Sequence, residues 1–384
     1  MNFNFSTPQQ IIFGNGRIGD LSFLMKDIGD RAFIVRSHSG SGFPELVRTL
    51  EEIGIEWIEF EVRQEPNLDL VTDAVVAAQK YECDFVVSIG GGSVIDTGKI
   101  VSVMQTNHGS IMDYLEVVGK CKTLNNPAIP HIAIPTTAGT GTEVTRNAVL
   151  DIPEKKTKVS MRSNYLFPKM ACIDPELTIS VPSTTTAFSG MDAFIQVIEP
   201  FVSKRKNYLT DMFCRDGIRL ATDYLIRAFQ NGEDRVARTN MSWVSLLGGL
   251  CLTNSGLGAV HGFAGPIGGM FHVPHGAICA SLLPSVMYVN NNALRRRDSE
   301  KETISRFKEI IQIVTKNPDS TFEVGIEWFK ELNLKLQIPS LSGLGINKEN
   351  FSEIIDRAEQ SSSMKSNSIQ LNRDELWQIL EMAN

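Results

Sequence analysis

The sequence predicts an α/β domain with a Rossmann-like parallel sheet, followed by an all-α domain. Strand and helix signals alternate with short connections through the first half, an order typical of a parallel sheet covered by helices. From about Pro182 onward, helical periods replace the strand signals. The length of 384 residues is enough for two domains that each bury their own core. We therefore predict a dinucleotide-binding domain over residues 1–182 and a helical, metal-binding and substrate domain over residues 183–384.

The individual elements follow from local patterns along the chain. Short apolar runs that are rich in β-branched residues predict strands, and amphipathic runs that end at glycine predict helices. The predicted strands of the first half are QQIIFGNG, RAFIV, IEWIEFEV, DFVVSIGGGS, HIAIPTTAGTG and KMACIDPEL. The predicted helices between them are PELVRTLEEIG and LDLVTDAVVAAQKYE. In the second half, helical periods run through segments such as TDMFCRDGIRLATDYLIRAFQNG, RVARTNMSWVSLLGGLCLTNSG and ISRFKEIIQIVTK.

Composition places this chain among soluble, reduced proteins. The 42% hydrophobic and 21% charged content is ordinary for a soluble protein, and the net charge of −7 argues against a nucleic-acid surface. None of the six cysteines forms a CxxC pair, which favours buried thiols in a cytoplasmic protein over disulfides or a zinc finger. The N-terminus lacks the pattern of a secretory signal, and the apolar runs are too short to predict a membrane span.

Two glycine-rich segments at the ends of predicted strands point to a dinucleotide. In IGGGSVIDTGK, glycines let the backbone approach a ligand, and the helix that follows offers free amide hydrogens to a diphosphate. In PTTAGTGTEVT, small hydroxyl residues suit hydrogen bonds to phosphate, ribose or nicotinamide amide groups. A tight structural turn is the alternative interpretation of the first segment, and a threonine-rich turn with local side-chain caps is the alternative for the second.

Two further segments supply candidate metal ligands. His261 and His275 lie fourteen residues apart in a glycine-rich, apolar stretch, and Asp192 and Gln196 form an i,i+4 pair that shares one face of a helix. A carboxylate with two imidazoles fits Fe²⁺ or Zn²⁺, and such an ion beside a nicotinamide would polarise a substrate oxygen. A single histidine in such surroundings is usually a satisfied core residue, so the interpretation depends on the whole set.

Several motifs in register resemble the iron-containing (group III) alcohol dehydrogenases. They are IGGGS with Asp96 downstream, PTTAGTGTEVT, DPEL, GMDA with a ligand one turn later, and VHG followed by PHG. The resemblance implies a dehydroquinate synthase-like architecture, a homodimer with the N-terminal strand in the contact, and hydride transfer between NAD(P) and a small alcohol or aldehyde. It also implies a divalent metal, Fe²⁺ or Zn²⁺. The implied metal ligands are Asp192, His261 and His275, and the implied cofactor contacts are Gly91, Gly92, Ser93, Asp96, Thr136, Thr137, Asn147 and Lys158.

The chain departs from the family pattern at three positions. Gln196 stands where the family has a histidine ligand, so the affinity or identity of the metal is open. Gly265 stands where a histidine often lies near the nicotinamide, and His272 is the candidate catalytic substitute. Ser37 stands after the second strand, where many NAD-dependent members have an aspartate that binds the ribose. With Arg36 beside it, the position fits NADP as well as NAD.

Two alternative functions remain open at the level of sequence. The loss of the histidine at Gln196 is compatible with a metal-free reductase that resembles the maleylacetate reductases. The loss of two family histidines is also compatible with a catalytically silent nucleotide-binding protein. The sequence leaves the substrate and the physiological direction open.

Overall fold

The structure is a computed structural model that describes residues 2–297 and 301–384. The chain divides into two compact units. One is Ser6–Val181, and the other joins residues 2–5 to Pro182–Asn384. The division falls one residue before the predicted boundary, and residues 2–5 belong with the helical unit. Phe5 gives a reason for this, because its ring packs edge-on against Phe213 at a centroid distance of 6.2 Å.

Residues 6–181 form the α/β unit. Along the chain its elements are β1 (Gln10–Phe13), α1 (Leu21–Met25), β2 (Arg31–Ser37), α2 (Phe43–Ile53), β3 (Glu56–Val62), α3 (Leu68–Tyr81), β4 (Phe85–Gly90), α4 (Gly92–Met104), α5 (Ile111–Tyr114), β5 (His131–Pro135), β6 (Asn147–Ile152), β7 (Thr157–Arg162) and β8 (Met170–Ile173).

Six of these strands form one parallel sheet in the order β1-β8-β5-β4-β2-β3. Successive residues of the central strands alternate between two apolar layers. Phe33 and Val86 face the layer that includes α3 and α4, whereas Ile34 and Val87 face the layer that includes α1 and α2. Because both faces are covered, these strands read as continuous apolar runs. Strands β6 and β7 form a separate antiparallel hairpin, which the sequence analysis did not predict.

The strand order reverses between β2 and β4. From β2 the chain moves outward to β3, then returns to the other side of β2 and continues to β5 and β8. Open α/β sheets bind ligands outside the carboxyl ends of the strands at such a reversal. In this chain those ends are Ser37 of β2 and Gly90 of β4.

The second unit is helical over its described residues, 182–297 and 301–384. Its helices are α6 (Ser183–Val202), α7 (Tyr208–Gln230), α8 (Arg235–Ser255), α9 (Ala259–Phe271), α10 (His275–Arg296), α11 (Lys301–Thr315), α12 (Phe322–Lys335), α13 (Phe351–Ala358), α14 (Ser362–Lys365) and α15 (Arg373–Ala383). A parallel α/β unit followed by a helical unit confirms the predicted fold class.

Side-chain caps fix where several of these helices begin. Asn207, Asp234, Thr321 and Asn372 each accept a hydrogen bond from a backbone N–H in the first turn of α7, α8, α12 and α15. Within the described residues, no single helix has the length and apolar character to cross a bilayer. The pair α8 and α9 meets that test on length and composition, but it is bent by 100°.

Candidate functional sites

The candidate metal centre is assembled from α6, α9 and α10. Asp192 lies in the middle of α6, His261 in the first turn of α9, and His275 at the first position of α10. His261 Nε2 lies 3.1 Å from Asp192 Oδ1, and His275 Nε2 lies 3.7 Å from the same oxygen. The structure therefore brings together three of the four predicted ligands around one carboxylate.

A fourth donor that the sequence analysis missed joins them. Cys279 lies one turn after His275 on α10, and its Sγ is 3.5 Å from His275 Nε2. One ligand atom from each of Asp192, His261, His275 and Cys279 lies within 4.8 Å of all the others. From its apolar surroundings, the sequence predicts only a buried structural thiol at Cys279. The i,i+4 spacing from His275 is the signal that would have identified it.

Gln196, the remaining predicted ligand, presents its amide nitrogen to the cluster. Its Nε2 donates to Asp192 Oδ2 at 2.9 Å, and its Oε1 is buried without a hydrogen-bond partner. A Cβ added to Gly248 of α8 would lie 3.1 Å from that oxygen, so Oε1 packs against α8. The assignment of Gln196 as a ligand stays a prediction.

Glu199 supports the cluster from behind and was also missed. It follows Asp192 and Gln196 on the same face of α6, at i+7 from Asp192. Its Oε2 accepts from His261 Nδ1 at 2.7 Å, and its Oε1 accepts from the Val260 backbone N–H at 2.7 Å. With Nδ1 bound to Glu199, Nε2 is the nitrogen that faces Asp192, and it is the atom that would bind a cation after losing its proton.

The charges within the cluster are strongly coupled. Burial favours the neutral acid at Asp192, yet the hydrogen bond from His261 and the nearby imidazole charges lower its pKa below the ordinary value. Burial likewise opposes charge on His261, but the adjacent Cys279 and the hydrogen bonds to Asp192 and Glu199 hold its pKa well above the ordinary value. The donors thus stabilise positive charge at this point.

The donor set fits a divalent transition-metal ion. Carboxylate, imidazole and thiolate groups are the ligands that Zn²⁺ and Fe²⁺ take in proteins, and each ligating histidine usually donates its other N–H to a carboxylate or carbonyl. The His261–Glu199 hydrogen bond has that form. Together with the convergence of four donor atoms, it satisfies the chemistry that the family implies.

The predicted catalytic residue His272 lies outside this group of converging atoms, as far as the described residues go. It is the exposed C-cap of α9, with φ of 51°. Gly265, which stands at the position of the family's second histidine, has open space around it, because an added Cβ would meet nothing within 4 Å. The role of His272 therefore stays a prediction.

In the α/β unit, the glycine loop joins β4 directly to α4. Helix α4 begins at Gly92, and its N-cap is Gly91. A Cβ on Gly92 would lie 3.0 Å from Thr140 Oγ1, and one on Gly91 would lie 3.4 Å from Thr137 Oγ1. The loop after β5 thus packs on the glycine loop, and the Thr136 N–H donates to Gly90 O at 2.9 Å. The free N–H groups in the first turn of a helix are a common binding place for diphosphates, and the contacts of Gly91, Gly92, Ser93, Thr136 and Thr137 with the cofactor stay predictions.

Beneath these loops lies a buried polar cluster. The Lys99 ammonium donates to Thr142 Oγ1, Thr145 Oγ1 and Asn147 O at 2.7–2.9 Å. Asp96 accepts from Thr142 Oγ1 at 2.6 Å and from the Val149 N–H at 3.0 Å. Through these hydrogen bonds, Asp96 and the backbone of Asn147 connect α4 and the loop after β5 to β6. Their contacts with the cofactor stay predictions.

Arg36 and the predicted cofactor contacts Ser37 and Lys158 all have hydrogen-bond or ion-pair partners within the protein. Arg36 Nε lies 2.7 Å from Glu59 Oε2, and Arg36 Nη2 lies 2.8 Å from Glu61 Oε2. Ser37 Oγ lies 2.9 Å from Ser39 Oγ. Lys158 Nζ pairs with Glu65 at 2.5 Å.

A cavity of about 650 Å³ opens beside the ends of β1, β2 and β8. Its lining includes Gly16, Ser41, Glu45, Glu176 and Leu177. The volume suits a small-molecule site.

The chain matches known proteins along nearly its whole length. Residues 8–175 match the family described as iron-containing alcohol dehydrogenase, and residues 186–384 match the C-terminal Fe-containing alcohol dehydrogenase family. Alcohol dehydrogenase 4 of Saccharomyces cerevisiae strain YJM789 is 31% identical over 387 residues, which cover 99% of this chain and 98% of that protein.

Two further matches have the same extent. The NAD-dependent methanol dehydrogenase of Bacillus methanolicus is 31% identical over 392 residues and 99% of each chain. The solved structure of an alcohol dehydrogenase from Oenococcus oeni superimposes with a TM-score of 0.92 at 30% identity, covering 100% of both chains. These matches do not favour the metal-free reductase or the silent nucleotide-binding protein. Its motifs, its fold and both family matches show that this chain belongs to the iron-containing alcohol dehydrogenase family.

Proposed function

We propose that this chain is an NAD-dependent alcohol dehydrogenase or aldehyde reductase that acts on small primary alcohols or aldehydes with one divalent metal ion. The convergence of Asp192, His261 and His275 in a chain of this family is the observation that carries the proposal. When bound, the metal ion supplies Lewis acidity toward the substrate oxygen, and the nicotinamide exchanges a hydride with the carbon that bears it.

The residues of the helical unit hold and orient the metal-binding atoms. Asp192 provides a carboxylate oxygen, and His261 and His275 provide Nε2. Glu199 keeps the proton of His261 on Nδ1, so that Nε2 stays available. The burial of Asp192 and His261 excludes water from one side of the site.

The residues of the α/β unit bind the dinucleotide. Gly91 and Gly92 let the diphosphate approach the first amides of α4, where the helix dipole favours negative charge. Thr137 lies beside Gly91 and can donate its hydroxyl hydrogen to the same phosphates. Ser37 lies at the strand-order reversal, where the ribose of the adenosine is expected. The contacts predicted for the other cofactor residues belong to this proposal.

The cofactor preference follows from the charges around Arg36. Glu59 and Glu61 occupy its guanidinium, so Arg36 is not available to a 2′-phosphate. Hydrogen bonds from His38 and Arg63 lower the pKa of Glu61 to about 2, so this carboxylate stays charged at neutral pH. Because Glu59 and Glu61 already pair with Arg36, this guanidinium does not bind the added phosphate of NADP, and we therefore propose NAD as the preferred cofactor.

The proposal also includes a proton carrier, a substrate size and a cellular location. His272 is exposed at the end of α9, so it can exchange protons with water, and we propose it as the proton carrier. The names of the relatives, alcohol dehydrogenase and methanol dehydrogenase, support a small primary alcohol. A cytoplasmic location is also proposed. It is supported by six free cysteines and is checked by cell fractionation.

A reconstitution assay tests the proposed function. Purified protein is stripped with a chelator, reloaded with Fe²⁺ without oxygen or with Zn²⁺, and assayed with primary alcohols, diols and aldehydes. NADH and NADPH, and their oxidised forms, are compared in parallel. We expect turnover that requires the metal and a kcat/KM at least tenfold higher with NADH than with NADPH.

Two variants sharpen this assay. Asp192→Asn should abolish metal-dependent turnover, whereas Asp374→Asn, on the exposed first turn of α15, should leave it unchanged. Turnover that survives chelation would contradict the metal-dependent mechanism. No turnover with any metal, cofactor or substrate of the panel would overturn the proposed function.

A further inference from the structure

The departure at Gln196 has a counterpart elsewhere in the metal centre. The family pattern supplies an imidazole at position 196, and this chain supplies an amide there. In the structure, Cys279 on α10 directs its sulfur into the same group of donor atoms, and it is fully buried. A thiol in this place is a stronger donor for Zn²⁺ or Fe²⁺ than a carboxamide.

The orientation of Gln196 argues against its amide oxygen as a ligand. Its Nε2 group donates to the second oxygen of Asp192, and an amide N–H₂ has no lone pair to offer a cation. Its Oε1 packs against Gly248 of α8. Gln196 therefore orients the carboxylate of Asp192 and leaves one position in the donor set to be filled.

The distances among the four donor atoms, all of which lie within 4.8 Å of one another, are compatible with one shared cation. In a tetrahedral Zn²⁺ site with bonds of about 2.0 Å to N or O and about 2.3 Å to S, neighbouring donor atoms lie about 3.3–3.6 Å apart. The pairs in this structure are 3.1 Å for His261 with Asp192, 3.5 Å for Cys279 with His275, and 3.7 Å for His275 with Asp192.

We propose that the Cys279 thiolate is the fourth protein ligand of the metal ion, in an Asp-His-His-Cys set in which Gln196 positions Asp192. The inference rests on the proposed function, because it takes the metal site of that enzyme as given. On binding, the sulfur–metal bond forms and the thiol proton is released to solvent. Since thiolate is a soft ligand, the site favours Zn²⁺ and Co²⁺ over harder cations such as Mg²⁺ and Mn²⁺.

Metal spectroscopy tests this assignment without relying on activity. Stripped full-length protein is loaded with one equivalent of Co²⁺ for near-ultraviolet absorption, and with one equivalent of Zn²⁺ for X-ray absorption. We expect a thiolate-to-cobalt charge-transfer band and one sulfur neighbour of zinc at about 2.3 Å. Cys279→Ala should lose both signals and bind Zn²⁺ at least tenfold more weakly in a competition titration.

Two matched variants complete the experiment. Cys251→Ala removes another buried thiol of the helical unit, which contacts Cys214, and it should keep the band and the affinity. Gln196→Ala should keep the band, because the sulfur is still present. Circular dichroism and thermal unfolding of each variant establish that it is folded.

The possible failures are distinct. Wild-type protein that binds one equivalent of metal without a sulfur signal overturns the role of Cys279 and leaves the proposed function intact. A band that persists in Cys279→Ala does the same. Wild-type protein that binds no divalent metal overturns the proposed function itself.

Discussion

The tautomer of a single histidine is set by one carboxylate. Glu199 accepts the Nδ1 hydrogen of His261 and, with its other oxygen, the backbone N–H of Val260 at the start of α9. Asn367 accepts the preceding backbone N–H, from Ala259, at 3.1 Å. Glu199 and Asn367 therefore hold the first turn of α9, and Glu199 also fixes the direction of the His261 imidazole. A substitution at Glu199 is therefore expected to change the metal-binding nitrogen directly.

Glu199→Gln should weaken metal binding by about 10- to 100-fold, the range seen when partners behind a ligating histidine are removed. The new amide nitrogen favours a proton on His261 Nε2 instead of Nδ1, and that nitrogen then cannot bind a cation. Competition titration with Zn²⁺ measures the effect. Glu327→Gln, on the surface of α12, is the control and should bind metal normally. Unchanged affinity in Glu199→Gln would contradict the role of Glu199.

At the residue scale, the sequence predicts those ligands whose residue type is unusual in its surroundings. Asp192, His261 and His275 were predicted because an acid and two histidines in apolar, glycine-rich segments are unusual. Cys279 was not, because a cysteine in an apolar helix is most often a core residue. Glu199 was passed over because a glutamate one turn beyond the ligand pair has no distinguishing pattern. The roles of Cys279 and Glu199 depend on how α6, α9 and α10 pack together. Local patterns in a single sequence do not reveal that packing.

At the scale of the element, helix α4 buries two charged side chains within an apolar layer. Its residues from Val94 to Met104 are all buried, and they include Asp96 and Lys99. Burial lowers the pKa of Lys99 to about 8, although Asp96 and Glu143 both favour its charged form. The hydrogen bonds from Lys99 to the loop after β5 compensate for that burial and hold the loop against the glycines.

Glu143, next to this cluster, gives the α/β unit a specific pH dependence. Burial raises its pKa to about 7, against 4.5 when exposed, with Lys99 acting in the opposite direction. The folded state therefore binds the proton more tightly, and the stability from Glu143 is present below pH 4.5 and lost as the pH rises to 7. Relative to Glu143→Gln, the wild type should lose on the order of 3 kcal/mol over that window.

Denaturant unfolding of both proteins between pH 4.5 and 8 measures this difference. Above pH 7 the difference should be constant, because Glu143 is then ionised in both states. Glu51→Gln, on the exposed side of α2, is the control and should follow the wild type at every pH. Parallel curves for wild type and Glu143→Gln would show that Glu143 does not titrate as described.

The strands and helices of the sheet were predicted well because apolar runs and glycine stops mark them. The β6–β7 hairpin was not predicted. Its strands pair from Asn147↔Arg162 to Ile152↔Thr157, and charged residues such as Asp151 and Lys158 interrupt their apolar pattern in the sequence. Its turn, Pro153–Lys155, lacks the Asn-Gly type of signal that marks short hairpins. Local patterns were therefore too weak to reveal a hairpin that is stabilised by packing on α4.

At the scale of the whole molecule, the sheet leaves β1 at one edge. The N–H groups of Gln10 and Gly14 donate to Lys169 O and Ile173 O on the β8 side. Since neighbouring residues of a strand point in alternate directions, the Ile11 N–H faces away from β8. An edge of this kind can pair with a second chain. On this basis we propose the homodimer that the sequence resemblance implies, with the N-terminal strand in the contact.

Light scattering coupled to size exclusion should give twice the 42.5 kDa of one chain. Ile11→Pro removes the outward N–H and should yield a monomer, whereas the pairing of β1 with β8 is kept. Ile11→Val is the matched control and should remain dimeric. A monomeric wild type would rule out the proposed dimer, and a dimeric Ile11→Pro would place the contact elsewhere.

The metal donors span the chain from residue 192 to residue 279, and His261 alone is 69 residues from its partner Asp192. An ion bound there would cross-link α6, α9 and α10 of the C-terminal half, as a disulfide cross-links the two ends of a long loop. Its binding energy is therefore also folding energy for that half. In a cell short of the metal, newly made chains would be left with a weakened helical half, and the supply of the ion would govern how much protein accumulates as well as how fast it turns over.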